Sequence, residues 1–401
     1  MTKSLNHLFE AIEVRRLVDD LCEMIAIPSI NPFQGEARPG YREQEMAEYY
    51  ADRLSSLGLD VGMREVVAGR PNVWGRLEGK GAGPSLMLSG HLDTVGDENY
   101  PDALQPRVEN RRVYGRGACD MKDALASYLE ILRVVRDAGI ELDGDLIVTG
   151  VADEEDQLIG SRDFGRHGPW ADFGIIGEPS DMAVCRAHKG QAGYRVRCYG
   201  KAVHSSRPEL GVNAIDGIHR VIGALDGYRE QLAAREPHAL CGHGRCCPSV
   251  IRGGSIVSTV PDYCELEIDR RTLPGETEET VRRELQDLVD AVSEAHPQFE
   301  FEIDGPTISI GTLEVEAGHP GLAAVLAGVE RVTGDAVEAQ AFFGGTDAPN
   351  FGFPMLIYGA GSVRQAHTTN EYVEIDEMLT ATRVYLYSTL KLQAPGVLQE
   401  D

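Results

Sequence analysis

The sequence lacks the features that would direct a protein to a membrane or to nucleic acid. No apolar run approaches the roughly 18 residues that are needed to cross a bilayer. The first residues, MTKSLNHLFEAIEVRRLVDD, alternate charged and apolar positions and so lack the apolar core of a signal peptide. Basic residues are scarce, since 38 Lys and Arg against 64 Asp and Glu give a net charge of −26. This deficit argues against nucleic-acid backbones and anionic membranes as partners, so we expect a soluble, cytoplasmic protein that acts on a small polar molecule.

The cysteines show no pattern of a secreted disulfide framework. Eight cysteines are scattered over 401 residues, which predicts reduced thiols. An additional zinc site is the alternative for the segment CGHGRCC, which contains Cys241, His243, Cys246 and Cys247. That segment has no second, separated pair, and adjacent cysteines do not easily coordinate one ion together. A loop with incidental thiols is therefore favoured.

The apolar pattern predicts an α/β fold. Amphipathic helices are expected over Leu8–Ile27 and Tyr41–Leu57, the second ending at Gly58. Short apolar runs of buried-strand length then alternate with a helical stretch. The strands are Ser85–Ser89, Leu146–Val151 and Asp172–Ile176, and the helix is Lys122–Ala138. This alternation predicts a sheet with covering helices.

A smaller domain is predicted inside the larger one. From about Gly190 the expected order is strand, helix, two strands, helix and strand, which is the ferredoxin-like split arrangement. Its third element is placed near Ser249–Ser258 and its fourth at Cys264–Arg271. We therefore expect a discontinuous catalytic domain over residues 1–187 and 304–401, and an inserted α+β domain over residues 188–303.

Five places put His, Asp or Glu directly after a predicted strand or in a glycine-rich loop. Side chains at such positions converge at the strand ends of an α/β sheet. They are His91 with Asp93 in SGHLDTV, Asp120 in GRGACDMKD, Glu154 and Glu155 in VADEED, Glu178 in IGEPS, and His367 in QAHTTNEYV. Each alone is weak evidence, because a lone histidine after a strand is more often a satisfied polar residue than a ligand. Five together are hard to assign to chance.

These motifs resemble those of the aminoacylase, acetylornithine deacetylase, succinyl-diaminopimelate desuccinylase and glutamate carboxypeptidase family. The resemblance spans nearly the whole chain and includes KAVHSSRPELGVNAI and GGTDAP, and GAGSVRQAHTTNEYV is most similar to the acetylornithine deacetylase branch. It implies a zinc-peptidase-like domain with a mixed sheet flanked by helices, and an inserted lid through which the chain forms a homodimer. It also implies a dinuclear metallohydrolase that acts on linear amide bonds.

The resemblance assigns the metal ligands residue by residue. Asp120 is the bridge between two divalent ions, zinc by default, with cobalt or manganese as possible substitutes. His91 and Glu178 complete the coordination of one ion, and Glu155 and His367 complete the coordination of the other. The residue types agree, because zinc accepts imidazole nitrogen and carboxylate oxygen. So many carboxylates would repel one another without cations, so we expect local order to depend on metal.

The resemblance also assigns catalytic roles. Glu154 resembles the general base that takes a proton from the attacking water and returns it to the leaving amine. Asp93 resembles a carboxylate that orients the His91 imidazole, with a simple turn cap as the alternative. His204, in KAVHSSRP, resembles a histidine that family dimers present to the partner's site to stabilise the oxyanion.

Substrate contacts are less sharply indicated. Arg271 matches a lid arginine placed to bind a substrate carboxylate, whereas Arg270 is expected to face the other way and form a surface salt bridge. Loops with Gly345 before Thr346, and with Gly361 before Ser362, resemble backbone approaches to substrate. Two departures from the family pattern bear on substrate recognition. Pro349 and Asn350 stand where many relatives carry an arginine nearby, and Ser258 stands where relatives often have asparagine.

Three functions follow as hypotheses. The first is deacylation of an N-acyl amino acid or a related N-acylated metabolite, with a substrate that carries an amide and a carboxylate. The second is a dipeptidase or carboxypeptidase of the same family. The third, an inactive binding homologue, is disfavoured because every expected ligand and the base are present. The acyl group, the amine and the native metal do not follow from the sequence.

Overall fold

The structure is a computed structural model that describes residues 4–33, 43–97 and 99–400. The helices are α1 (Leu5–Glu10), α2 (Val14–Ala26), α3 (Gln44–Ser56), α4 (Lys122–Ala138), α5 (Ile159–His167), α6 (Ala214–Ala234), α7 (Glu278–Ala295), α8 (Pro320–Thr333) and α9 (Ile375–Gln393). Within the described ranges, none of these helices has the length and apolar character to span a bilayer. The start of the predicted Tyr41–Leu57 helix lies outside the described residues.

Strands occur throughout the chain, and most are short. They are β1 (Asp60–Val67), β2 (Arg70–Leu77), β3 (Leu86–His91), β4 (Arg107–Glu109), β5 (Arg112–Tyr114), β6 (Leu146–Val151), β7 (Phe173–Ile176), β8 (Cys185–His188), β9 (Gly190–Tyr199), β10 (Arg245–Gly253), β11 (Tyr263–Thr272), β12 (Glu300–Asp304), β13 (Ser309–Ile310), β14 (Leu313–Glu314), β15 (Gln340–Phe342), β16 (Met355–Ile357) and β17 (Tyr372–Glu374).

The chain divides into two compact units. The first unit comprises residues 1–186, 315–342 and 346–401, and the second comprises residues 187–314 and 343–345. The second unit therefore extends beyond the expected 188–303. The reason lies in its last strands, because Ser309 in β13 pairs with Ala192 in β9, and Leu313 in β14 pairs with His188.

The first unit contains the predicted mixed sheet, and this part of the fold is confirmed. Its strands lie in the order β1-β2-β6-β3-β7-β16-β8, and β6, β3, β7 and β16 run parallel to their neighbours in that group. Strands β3 and β6 are buried along their whole length, as expected for parallel strands covered by helices on both faces. The carboxyl ends of β6, β3 and β7 consequently lie side by side at one edge of the sheet.

The predicted helix Leu8–Ile27 was wrong, because the structure has two helices there. Helix α1 ends at Glu10, and α2 begins at Val14 after Glu13, whose backbone is extended. The Glu13 N–H donates to Oε1 of the buried Glu130 at 2.8 Å, and Arg16 Nε donates to Glu130 Oε2 at 2.9 Å. Because apolar residues continue at helical spacing across the break, the sequence pattern alone did not reveal it.

The second unit has the predicted ferredoxin-like order, β9-α6-β10-β11-α7-β12. Its antiparallel sheet lies in the order β10-β11-β9-β12, and one face of β9 and β11 is buried at every second residue. This alternation gives an apolar core beneath α6 and α7, which includes Val196, Leu225 and Leu285. Strand β10 starts at Arg245, so the strand expected near Ser249–Ser258 begins and ends earlier than predicted.

Arg270 does not form the predicted surface salt bridge. The residue is fully buried on the core face of β11, and its Nε donates to Tyr228 Oη at 3.0 Å. Its Nη2 donates to Glu276 Oε1 at 2.5 Å, and Glu276 Oε2 accepts the Leu273 N–H. The prediction placed the neighbours Arg270 and Arg271 on opposite faces correctly, but it did not show which face was covered.

Candidate metal centre

His91 is placed and oriented by the main chain. It is the last residue of β3 and is almost fully buried. Its Nδ1 lies 2.9 Å from the main-chain oxygen of Asp93. A carbonyl oxygen can only accept, so Nδ1 carries the hydrogen and the lone pair of the neutral ring is on Nε2. That nitrogen lies 3.0 Å from Asp120 Oδ1, so His91 presents a ligand atom to the centre.

The Asp120 carboxylate lies between two imidazoles. Its Oδ1 lies 3.0 Å from His91 Nε2, and its Oδ2 lies 3.4 Å from His367 Nε2. His367 Nε2 also lies 3.0 Å from Glu155 Oε2. His367 comes from the loop between β16 and β17 and has a left-handed φ of 60°. Residues more than 200 positions apart in the chain thus meet around a single carboxylate.

The donor set fits a divalent cation. One ligand atom each from His91, Asp120 and Glu155 all lie within 4.8 Å of one another, and the three residues form a possible metal-binding site. Glu178 follows β7, and its Oε1 is buried without a hydrogen-bond partner among the described residues. An unpaired buried carboxylate oxygen is costly unless a cation binds it. Two imidazoles and three carboxylates are the ligand types that zinc takes.

The electrostatics of the centre favour positive charge. Burial, followed by repulsion from Glu178, Asp347 and Glu155, raises the pKa of Glu154 well above its usual range. Hydrogen bonds to Asp120 and Glu155 raise the pKa of His367 to about 10. Neighbouring carboxylates contribute to both pKa shifts, and closely spaced buried carboxylates stabilise a proton or a cation among them.

The Asp93 carboxylate fixes the backbone that carries the two adjacent glutamates. Its Oδ1 accepts the Glu154 N–H at 3.1 Å, and its Oδ2 accepts the Glu155 N–H at 3.1 Å. Its nearest approach to the His91 ring is 3.6 Å, whereas its main-chain oxygen lies 2.9 Å from that ring. The imidazole is therefore held by the Asp93 main chain, and the Asp93 side chain holds Glu154 and Glu155.

His204 and Arg271 belong to the second unit, and each is described within it. His204 Nδ1 accepts the Ser206 N–H at 3.1 Å, so in the neutral ring the hydrogen lies on Nε2 and can be donated. The Ser205 N–H donates to the main-chain oxygen of Ser258 at 2.9 Å, which links the His204 loop to the turn that contains Ser258. Arg271 is partly exposed, and its Nε lies 2.9 Å from Asp269 Oδ2.

The predicted substrate residues have contacts within the protein. Thr346 Oγ1 accepts the Ala348 N–H, and Asn350 Nδ2 donates to Ser161 Oγ at 2.9 Å. The Gly361 N–H donates to Glu377 Oε2 at 3.1 Å. Ser362 forms an isolated bridge with Ser180. A Cβ atom added to Gly345 would lie 2.8 Å from Ile310 Cγ2, so there is no room for a larger residue unless Ile310 moves. Their roles toward substrate stay predictions.

A buried polar network behind the centre was missed from the sequence. Asn31 Nδ2 donates to Asp93 Oδ2 at 2.8 Å and to Asp153 Oδ1 at 3.0 Å. Arg70 Nη1 pairs with Asp153 Oδ1 at 2.6 Å, and Arg70 Nη2 pairs with Glu43 Oε1 at 2.6 Å. Asp153 directly precedes the glutamate pair, so this network supports the Glu154 and Glu155 segment. No local motif marks Asn31, Arg70 or Glu43.

Asp347 and Glu371 were also missed, although both lie inside motifs that the sequence analysis quoted. Asp347, in GGTDAP, is buried, and its Oδ1 lacks a hydrogen-bond partner among the described residues. Burial raises the pKa of Asp347 to about 7, and its charge acts on Glu154 and Glu178. Glu371, in QAHTTNEYV, bonds to the backbone at Asp120. Their place inside the quoted motifs was the signal from which the sequence could have indicated a role at the centre.

The CGHGRCC segment does not assemble a metal site in the described part of the chain. The group of three or more ligand atoms found there is His91, Asp120 and Glu155, and it includes none of this segment. All eight cysteines lie among the described residues, where they carry thiols and form no disulfide, and Cys247 is exposed. The segment lies in the second unit, and Cys246 and Cys247 belong to β10, so only its first part is the loop that the sequence predicted.

Comparison with known proteins agrees with this geometry. The profile of Peptidase family M20/M25/M40 matches residues 87–391. An acetylornithine deacetylase of Vibrio cholerae is 32% identical over 360 residues, covering 87% of this chain and 92% of that protein. An N-formyl-4-amino-5-aminomethyl-2-methylpyrimidine deformylase of Bacillus subtilis is 29% identical over 389 residues, covering 88% and 90%. A tripeptidase structure from Staphylococcus aureus shares the fold, with a TM-score of 0.77, 21% identity, and coverage of 95% and 99%.

Proposed function

Because the chain belongs to peptidase family M20/M25/M40, and is thus a hydrolase of amide bonds, we propose that it removes the acyl group from a small N-acylated metabolite. The substrate class is an N-acyl amino acid or a close relative of one. Two relatives with named activities support this choice. One is a deacetylase and the other a deformylase, and each aligns with more than four-fifths of the chain.

The observation that carries the proposal is the position of Asp120. Its two carboxylate oxygens point toward different imidazoles, His91 and His367, as a carboxylate shared by two cations must. We assign His91 and Glu178 to one ion and Glu155 and His367 to the other, with zinc as the native metal. Cobalt and manganese are the alternatives.

The metal pair, Glu154 and Asp93 have different roles in the proposed hydrolysis. A bound metal pair supplies positive charge that polarises the amide carbonyl and makes water more acidic. Glu154 takes the proton from the attacking water and later delivers it to the leaving nitrogen. Burial and the neighbouring carboxylates raise the pKa of Glu154, which makes it a stronger proton acceptor than an ordinary glutamate. Asp93 keeps the Glu154 backbone fixed during both transfers.

We propose a homodimer in which His204 of the partner subunit completes the site. The neutral His204 ring carries a hydrogen on Nε2, which is the donor that an oxyanion needs. Beside its loop lies a hollow lined by Ser205, Ile215, Ile256 and Val257, in which Val257 is 99% exposed. Exposed apolar side chains around a polar loop favour a protein interface.

Mixed dimers test this arrangement. Glu154→Gln and His204→Ala chains, each inactive alone, are expected to regain about a quarter of wild-type activity when mixed equally and allowed to exchange subunits. Half of the dimers are then hybrids, and each hybrid has one site with both an intact Glu154 and an intact partner histidine. Activity that stays at the sum of the two parents would contradict the shared site. Each variant carries a different affinity tag, so purification through both tags in turn isolates the hybrid and reports whether exchange occurred.

A cationic surface in the second unit supports the proposal that the substrate carries a carboxylate. Arg271 and Arg245 are direct partners on neighbouring strands, so their side chains lie on the same face of the sheet. Burial and then the charges of Arg245, Arg270 and Arg271 lower the pKa of Lys189, whose Nζ donates to His243 O at 2.6 Å. In a chain with a charge of −26, such a group favours an anionic ligand.

The test of the function is a panel of amides. Primary amine release is measured with N-formyl, N-acetyl, N-succinyl and N-carbamoyl amino acids and with simple dipeptides, with and without added zinc. Metal-dependent turnover of the N-acyl amino acids would support the deacylase. Preference for dipeptides would favour the peptidase alternative. The tripeptidase with the same fold is the reason for including dipeptides in the panel. No turnover with metal bound would contradict both.

A further inference from the structure

Glu371 contacts the metal-ligand segments without being one of the assigned ligands. We propose that Glu371, together with Arg116, positions Asp120 and His367 for metal binding. The inference rests on the proposed metal centre and extends it to residues outside the ligand set. It concerns how the ligands are held, so it is tested by metal affinity and not by turnover alone.

The Glu371 side chain fixes the backbone at Asp120. Glu371 is fully buried, and its Oε1 accepts the N–H of Cys119 at 2.9 Å and the N–H of Asp120 at 3.1 Å. Hydrogen bonds to an ionised carboxylate are about twice as strong as those between neutral groups. Because two consecutive amides bond to one oxygen, the peptide plane that carries the shared ligand has little freedom to turn.

Arg116 holds Glu371 from the other side. Arg116 Nη1 pairs with Glu371 Oε2 at 2.7 Å, and both side chains are almost fully buried. Arg116 Nε donates to the main-chain oxygen of Gly96 at 3.1 Å, and the Gly115 N–H donates to the main-chain oxygen of Glu371 at 3.1 Å. The carboxylate is therefore anchored through its side chain and through its own backbone.

The same residue limits the position of His367. Only three residues separate His367 from Glu371, so anchoring Glu371 to the Asp120 segment ties the two ligand-bearing segments together. Asp93 does the same for the Glu154 and Glu155 amides. The Asp120 segment and the Glu154 and Glu155 segment are thus each held by a buried carboxylate that accepts two consecutive amides. Removing such a support typically weakens metal binding by about 10–100-fold.

Glu371→Gln is the variant to make. The amide oxygen can still accept the two backbone N–H groups, but its NH₂ group then faces the Arg116 guanidinium, donor against donor. The double variant Glu371→Gln with Arg116→Met removes that conflict. Zinc is titrated calorimetrically into chelator-treated protein, and bound zinc per chain is measured after dialysis. Thermal unfolding is recorded for every variant.

A matched control exists in the same unit. Glu130 is also a buried carboxylate that accepts a backbone N–H, from Glu13 at 2.8 Å, and pairs with an arginine, Arg16, at 2.6 Å. It contacts no proposed ligand, so Glu130→Gln reports the cost of losing a buried ion pair alone.

We expect Glu371→Gln to bind zinc about 10–100-fold more weakly than wild type, with partial recovery in the double variant. Glu130→Gln is expected to bind zinc as wild type does, even if its unfolding temperature falls as far. Wild-type affinity in Glu371→Gln, or an equal loss in Glu130→Gln, would overturn the positioning role alone. A wild-type chain that binds no zinc would overturn the proposed centre together with it.

Discussion

Glu154→Gln is expected to lower kcat by about 10²–10⁴-fold on whichever amide the wild-type chain hydrolyses. The amide side chain is the same size as the carboxylate but cannot take a proton from water or return one to the leaving nitrogen. The backbone at this position is held by Asp93 through the Glu154 N–H, which the substitution leaves in place. We therefore expect substrate binding and folding to change little. Steady-state kinetics and thermal unfolding on the same preparation test this.

The neighbouring glutamate is the control for that prediction. Glu155→Gln removes a carboxylate whose Oε2 lies 3.0 Å from His367 Nε2, so its first effect is expected on metal content. Glu154→Gln is expected to retain the metal content of the wild type. A Glu154→Gln enzyme that keeps more than about a tenth of wild-type kcat would show that another group moves the proton.

Asp120→Asn is expected to lower kcat by about 10³-fold or more and to remove at least one bound ion. The estimate follows because a catalytic cation contributes several kcal/mol of transition-state stabilisation, and each 1.36 kcal/mol changes a rate tenfold. Asp120 faces both imidazoles, so a neutral side chain here weakens both halves of the centre. Elemental analysis and kinetics on one sample measure the two effects.

Metal should also stabilise the folded chain, and the same variant should reduce this effect. For the wild type, zinc at about 100 times its Kd is expected to raise the free energy of unfolding by about 2.7 kcal/mol for each ion bound. Asp145→Asn is the matched control, since Asp145 precedes β6 at the opposite end of the strand from Glu154. Asp145 pairs with Arg76 and accepts the Gly79 N–H. An Asp120→Asn chain that zinc still stabilises fully would contradict the bridging role.

The convergence of the proposed ligands could be predicted in part, because several of them follow strands. His91 ends β3, Glu154 and Glu155 follow β6, and Glu178 follows β7. Short apolar runs mark such strands in the sequence, and parallel neighbours bring their carboxyl ends to one edge. The mixed sheet and the ferredoxin-like order of the second unit were predicted for the same reason, since each depends on local apolar patterns.

The supports behind the ligands could not be predicted, because they are contacts between distant positions. Asn31 is separated by 62 residues from Asp93 and by 122 residues from Asp153, and nothing local marks it as their shared partner. The break between α1 and α2 has the same origin, since Glu130 lies 117 residues beyond the Glu13 N–H that it accepts. Arg270 was misassigned because alternation distinguishes the two faces of a strand but does not show which face is covered.

The way Asp93 holds two adjacent amides has a consequence for anyone who would re-engineer this protein. The backbone N–H groups of the proposed base Glu154 and the proposed ligand Glu155 both donate to the Asp93 carboxylate. Any shift of that carboxylate therefore displaces both residues together. Changes in this segment should therefore alter metal retention and turnover in step. Glu178 enters from a different strand and is not bound to Asp93, so it offers the better position for changing metal preference while the base stays where it is.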